Sequence, residues 1–126
     1  MDITLTVNYR NDCFPLPLNV RWVDGKLWEL LSPFEYHRKN GEIIRVEKGT
    51  LTDFGSKPKI TWLFVGSPTD EGGPAYVIHD DLCEKQPYPY FIIDKIFYEA
   101  LRDLGIPYLK RTLMYWAVSA FHIFKP

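Results

Sequence analysis

His79, Asp80 and Asp94 are residues whose types and spacing could do chemistry. His79 and Asp80 are adjacent, and Asp94 follows His79 by fifteen positions. A carboxylate that holds an imidazole in one tautomer orients a general base, which can then take a proton from water. A second polar stretch, Thr52-Asp53-Phe54-Gly55-Ser56-Lys57-Pro58, lies upstream. If its loop delivers Asp53 to the same place, three carboxylates and one imidazole share a cleft. Like charges at that density raise one another's pKa unless a cation sits among them. Oxygen ligands suit Ca2+ or Mg2+, whereas Zn2+ or Mn2+ would recruit the imidazole. Each group also has a plainer role open to it. His79 and Asp94 can satisfy each other in a core, and Asp53 and Ser56 can cap the turn they occupy.

Helices must position the acid–base groups. Ala75, Ile78, His79 and Leu82 recur at helical spacing, which puts His79 on a buried face. Ile93, Ile96, Phe97, Ala100, Leu101 and Leu104 form the stripe of a second helix, with Asp94 at its edge. A carboxylate there needs a partner, and a His on the facing helix is the natural one. Pro74 suits the start of the first helix, Gln86 to Tyr90 breaks the chain between the two, and Gly105 ends the second. A last helix, from about Pro107 to Phe124, presents Leu109, Leu113, Trp116, Ala117, Ala120, Phe121 and Phe124 as its apolar face.

The other reactive side chains read as structural. Asp81 is turned about 100° from Asp80 on the helix, which makes it a solvated charge. Cys83, four residues after His79, reads as a small core residue, because neighbouring carboxylates oppose a thiolate. His37, beside Arg38 and Lys39, reads as exposed, and His122 sits where a helix C-terminus favours a cation. Neither is assigned chemistry. Tyr88 to Phe91 cannot bury all its rings in a loop, so exposed aromatics at a cleft mouth would serve a lipid or protein surface.

The first 48 residues alternate as strands do. Ile3, Leu5 and Val7 mark a half-buried strand, Asp24-Gly25 a tight hairpin, and Asn40-Gly41 a second one. The expected architecture is α+β in a single domain: an antiparallel β meander over 1–48, a loop region over 49–73 and three helices over 74–124. Within the loop region, Trp62 to Val65 is a short apolar run and Ser67 to Gly73 an exposed linker.

With 126 residues, of which 46% are hydrophobic, the chain can fill one core. Its formal charge of −1 gives no electrostatic reason to expect nucleic acid. No apolar run is long enough to span a membrane, and the first residues lack the pattern of a signal peptide. Cys13 and Cys83 show no metal spacing, so cytoplasmic synthesis is the expectation.

The order Val46-x-x-Gly49-x-x-Thr52-Asp53-x-x-Ser56-x-Pro58, then His79-Asp80-x-Leu82, then Asp94-x-x-Phe97 resembles a family of tailed-phage and prophage proteins of unknown function. The resemblance spans roughly 45–120 and implies a phage origin, with a virion setting or a host-protein partner. His79-Asp80 followed by Asp94 also resembles, more distantly, the core of phospholipases A2. That resemblance implies a water-activating base at His79, a metal ligand at Asp80, an orienting carboxylate at Asp94 and an ester substrate, possibly a phospholipid. The chain lacks that family's glycine-rich calcium loop and disulfides, and it has Cys83 where those enzymes usually carry Tyr. The reading is a small metal-assisted hydrolase; the alternative is a phage structural or host-interaction protein with a polar His/Asp core.

Overall fold

The computed structural model describes residues 3–8, 11–25, 27–53 and 72–124, and the side chains of 121, 123 and 124 lie outside that description. Trp62 to Val65, Ser56 and most of the Ser67–Gly73 linker also lie outside the described residues. The strands are β1 (Thr4–Val7), β2 (Leu18–Asp24), β3 (Leu27–Leu30), β4 (Phe34–His37), β5 (Ile43–Val46) and β6 (Leu51–Thr52). The helices are α1 (Gly73–Lys85), α2 (Tyr90–Asp103) and α3 (Tyr108–Phe124). The α+β arrangement is the expected one: antiparallel strands first, then three helices.

The sheet region is not one meander. β1, β2, β3 and β6 form a four-stranded sheet in that order, while among the described residues β4 and β5 pair with each other as a second sheet. β6 lies within the stretch expected to be loop and pairs with β3 through Trp28 opposite Thr52. It therefore returns the chain to the first sheet ahead of α1 in sequence. β1 is an edge strand with Ile3 and Leu5 exposed, rather than half-buried. In the first hairpin Asp24 pairs with Leu27, and Gly25 takes a left-handed φ of 55°. In the second, Gly41 takes positive φ, and the Asn40 side chain accepts the Glu42 N–H at 2.9 Å.

Alternation builds the core on this side. Leu18 and Val20 of β2, Phe34 and Tyr36 of β4, and Ile44 and Val46 of β5 all point inward. Phe14 stacks on Tyr36 at 4.8 Å between ring centroids. The Tyr36 hydroxyl reaches α2, contacting Glu99 Oε2 at 2.8 Å and Asp103 Oδ2 at 2.6 Å. Arg38 donates to the same Glu99 at 2.8 Å, so the hairpin is tied to α2 by a charge-assisted network.

α1 is the central helix, buried over most of its circumference from Gly73 to Leu82. It begins with Pro74 at its second position and ends at Gln86, whose φ of 47° and N–H to Leu82 O close the last turn. α2 buries its predicted stripe of Ile93, Ile96, Phe97, Ala100 and Leu101, and Asp94 with it. Gly105, at φ 87°, ends α2 with bonds from Gly105 N to Arg102 O and Ile106 N to Leu101 O.

α3 corrects the sequence reading. Its inward residues are Met114 and Val118, while Leu109 is 70% exposed, Trp116 64%, and Leu113 and Ala120 are also exposed. The helix has two apolar stripes, and periodicity alone does not say which one meets α2. Two packing predictions follow from that orientation. Leu101→Ala should cost about 2–5 kcal/mol by urea denaturation, since it empties a sealed position. Leu109→Ala should stay within about 0.5 kcal/mol, and a large loss there would mean that its face is covered.

Candidate functional site

The site is built outward from Asp94, which α2 places in the core at 2% exposure. Its two oxygens serve two helices. Oδ1 accepts from His79 Nε2 of α1 at 2.8 Å, and Oδ2 accepts from His122 Nδ1 of α3 at 2.9 Å. Ser119 Oγ adds a longer contact to Oδ2 at 3.3 Å. An ionised carboxylate only accepts, so the ring nitrogen facing it, His79 Nε2 or His122 Nδ1, carries a proton. On a neutral ring the other nitrogen is an acceptor.

Cys83, one helical turn after His79, lies beside both rings. Its Sγ is 3.8 Å from His79 Nδ1, 3.7 Å from His79 Nε2 and 3.8 Å from His122 Nε2. One nitrogen from each His and the sulfur all lie within 4.8 Å of one another, so this group could hold a metal ion. Neither Asp80 nor Asp53 belongs to it. Neighbouring rings hold both imidazoles: Phe97 lies 4.9 Å from His79 in a tilted contact, and Tyr90 stacks on His122 at 4.2 Å.

All three side chains line a cleft of about 560 Å3 between the β6 strand and the helices. Asp80, Asp53, Thr52, Tyr90, Leu51 and Val118 share its wall. Asp80 Oδ2 accepts from Thr52 Oγ1 at 2.6 Å, which fastens α1 to β6. Asp53 is half-buried on the cleft wall. The structure thus places His79, Asp80 and Asp53 on one cleft, with Asp94 buried and bonded to the His79 ring, while Ser56 lies outside the described residues.

Two readings change and one is extended. Asp81 is buried and paired with Lys85 at 3.0 Å, not a solvated charge. Cys83 packs against the core as read, and its sulfur also lies beside both imidazoles on the cleft wall. His122, given no role from sequence, is the second ligand of Asp94. Two signals could have found it: Met114, Val118 and His122 share one helical face at steps of four, and a buried carboxylate has two oxygens to satisfy. His37 is half-buried against Glu35 at 2.8 Å and stays outside the site. Of the connecting aromatics, Phe91 is exposed, whereas Tyr88 bonds Glu42 at 2.9 Å.

Electrostatics favour a neutral imidazole against an ionised carboxylate. Burial lowers the His79 pKa below its ordinary 6.5, despite the Asp94 contact that raises it. Burial alone would raise the Asp94 carboxyl, but the hydrogen bonds from His79 and His122 outweigh it and hold it below the ordinary 3.8. The signs give a pH profile for stability. The unfolded chain protonates His79 first, so stability is full above about 6.5 and falls as pH drops below it. Asp94 contributes above its ordinary 3.8, and that contribution is lost as pH falls further through its lower folded value. Urea denaturation across pH 8 to about 3 should show both declines. A profile flat from pH 8 to 5 would refute the assignment for His79.

Comparison with known proteins gives relatives of unassigned role. The chain is 37% identical over 97 residues to the uncharacterized protein y4jT of Sinorhizobium fredii (strain NBRC 101917 / NGR234), covering 75% of this chain and 29% of that protein. It is 34% identical over 93 residues to the uncharacterized protein y4iH of the same strain, covering 73% of this chain and 39% of that protein. The chain therefore spans well under half the length of either relative. No solved structure matches it. A family model described as "Protein of unknown function (DUF1353)" matches residues 28–118, which include His79, Cys83 and Asp94 and stop short of His122. On that match, which covers most of its length, the chain belongs to the DUF1353 family.

Proposed function

We propose that this chain is a small hydrolase that activates water at the imidazole nitrogens held by Asp94. The observation that carries this reading is one buried carboxylate orienting two imidazoles on the wall of a 560 Å3 cleft. A single His–Asp contact is common in cores, but a structural pair has no need of a cleft. His79 is only 6% exposed, yet it lines that cleft beside His122. Desolvation keeps its ring neutral, which is the state a base or a metal ligand requires.

An ester is the substrate class we favour. The wall mixes Leu27, Leu51, Val118 and Tyr90 with carboxylates, which would seat an acyl chain beside a polar reacting centre. A phospholipid ester, a divalent ion assisting the water, and a phage or virion setting after synthesis in the host cytoplasm rest on the motif resemblances alone.

A second reading, a structural or host-interaction protein, is favoured by the exposed stripe of Leu109, Leu113 and Trp116 on α3. Sedimentation of the purified chain with and without Trp116→Ala would reveal self-association through that stripe.

The hydrolase is tested on p-nitrophenyl acyl esters of several chain lengths and on phospholipid vesicles. Turnover should fall on the order of 10²–10⁴-fold in His79→Ala and in His122→Ala, while Leu109→Ala keeps it. Loss of Asp94 as Asn should also lower turnover, because the rings lose their fixed tautomers. No hydrolysis of any ester, or equal rates in wild type and His79→Ala, would sink the reading.

A further inference from the structure

The lone pairs that Asp94 leaves on the two imidazoles can act on water in two ways. They can take its proton directly, or they can hold a cation that polarises it. We propose the second: His79, Cys83 and His122 form a zinc site with one position open to the cleft. This deepens the hydrolase reading and rests on it only for what the open position does.

The geometry supplies the first argument. His79 and Cys83 stand four residues apart on one face of α1, and His122 comes from α3. One nitrogen of each ring and the sulfur lie within 4.8 Å of one another, and Cys83 Sγ is 3.8 Å from His79 Nδ1, 3.7 Å from His79 Nε2 and 3.8 Å from His122 Nε2. Each His already donates its other N–H to a carboxylate, the outer contact that orients and strengthens an imidazole ligand. Here a single carboxylate does this for both rings. The tilted contact of Phe97 on His79 and the stacking of Tyr90 on His122 keep the rings from swinging away, so little reorganisation is needed on binding.

The second argument is charge balance. Two neutral imidazoles, one thiolate and the Asp94 carboxylate carry two negative charges, which a divalent ion cancels within a buried site. Nitrogen and sulfur donors select zinc over calcium or magnesium, which prefer oxygen. Three protein ligands leave a fourth tetrahedral position, as catalytic zinc sites do, and all three ligands line the cleft. Zinc bound there would lower the pKa of a water in the open position. With both imidazoles engaged as ligands, the proton acceptor becomes another group of the cleft wall, which carries the Asp53 and Asp80 carboxylates.

The test uses the full chain, stripped with a chelator and titrated with Zn2+ and Co2+. One equivalent of either ion should bind, and Co2+ should give a thiolate charge-transfer band. Cys83→Ser should abolish that band, and Asp94→Asn should weaken binding about 10–100-fold. Asp80→Asn should leave both intact, which separates this site from an acidic one. Zinc should also shield Cys83 of the wild-type protein from iodoacetamide while Cys13 reacts as before, a measurement that needs no variant to fold. Absence of stoichiometric binding, cobalt bound without a thiolate band, or Cys83 alkylated equally with zinc present would overturn the proposal. Zinc bound as described without ester hydrolysis would defeat the hydrolase reading alone. Hydrolysis that survives chelation, with no zinc bound, would defeat this inference alone.

Discussion

The helical half of the molecule depends on the Asp94 carboxylate. A charge buried to this extent is tolerated only when hydrogen bonds replace its hydration, and both oxygens here have N–H partners. Those partners come from the helices on either side in sequence, so satisfying one residue sets the rotation of two others. α1 must turn His79 inward and α3 must turn His122 inward. Leu109 and Trp116 face water as a result, although they are as apolar as the residues that took their place.

The strands supply rigidity rather than reactive groups. Thr52 of β6 grips Asp80 of α1, while Tyr36 and Arg38 of the β4–β5 hairpin grip Glu99 and Asp103 of α2. The two helices that carry His79 and Asp94 are each anchored to a different sheet. Their relative placement is then fixed from outside the site as well as by the hydrogen bond between them. β6 also forms one wall of the cleft, which explains the use of so short a strand.

Much of this was legible in the residue pattern. The stripes of α1 and α2 are single and unambiguous, so the meeting of His79 and Asp94 follows from helical periodicity. α3 is different because it is apolar on two sides. Hydropathy favours the side with Leu109, Leu113 and Trp116, but burying that side would leave Asp94 with one unanswered oxygen. A polar requirement overrode the apolar one, and periodicity carries no information about it. Cys83 packs against the core as its pattern suggests, but the two imidazoles beside its sulfur come from residues that periodicity alone does not bring together. β6 has only two residues and no alternation to detect, so its return to the sheet depends on tertiary pairing.

The division of the site among three helices bears on how the protein comes into being. α1 brings a thiol and one imidazole, α2 the carboxylate between them, and α3 the second imidazole. A chain whose folding has not yet docked α3 carries a buried acid with half its hydrogen bonds and no matched pair of rings. The arrangement of two rings around one carboxylate is then completed only in the last packing step, so a partly folded chain lacks it and the finished tertiary structure is what assembles it.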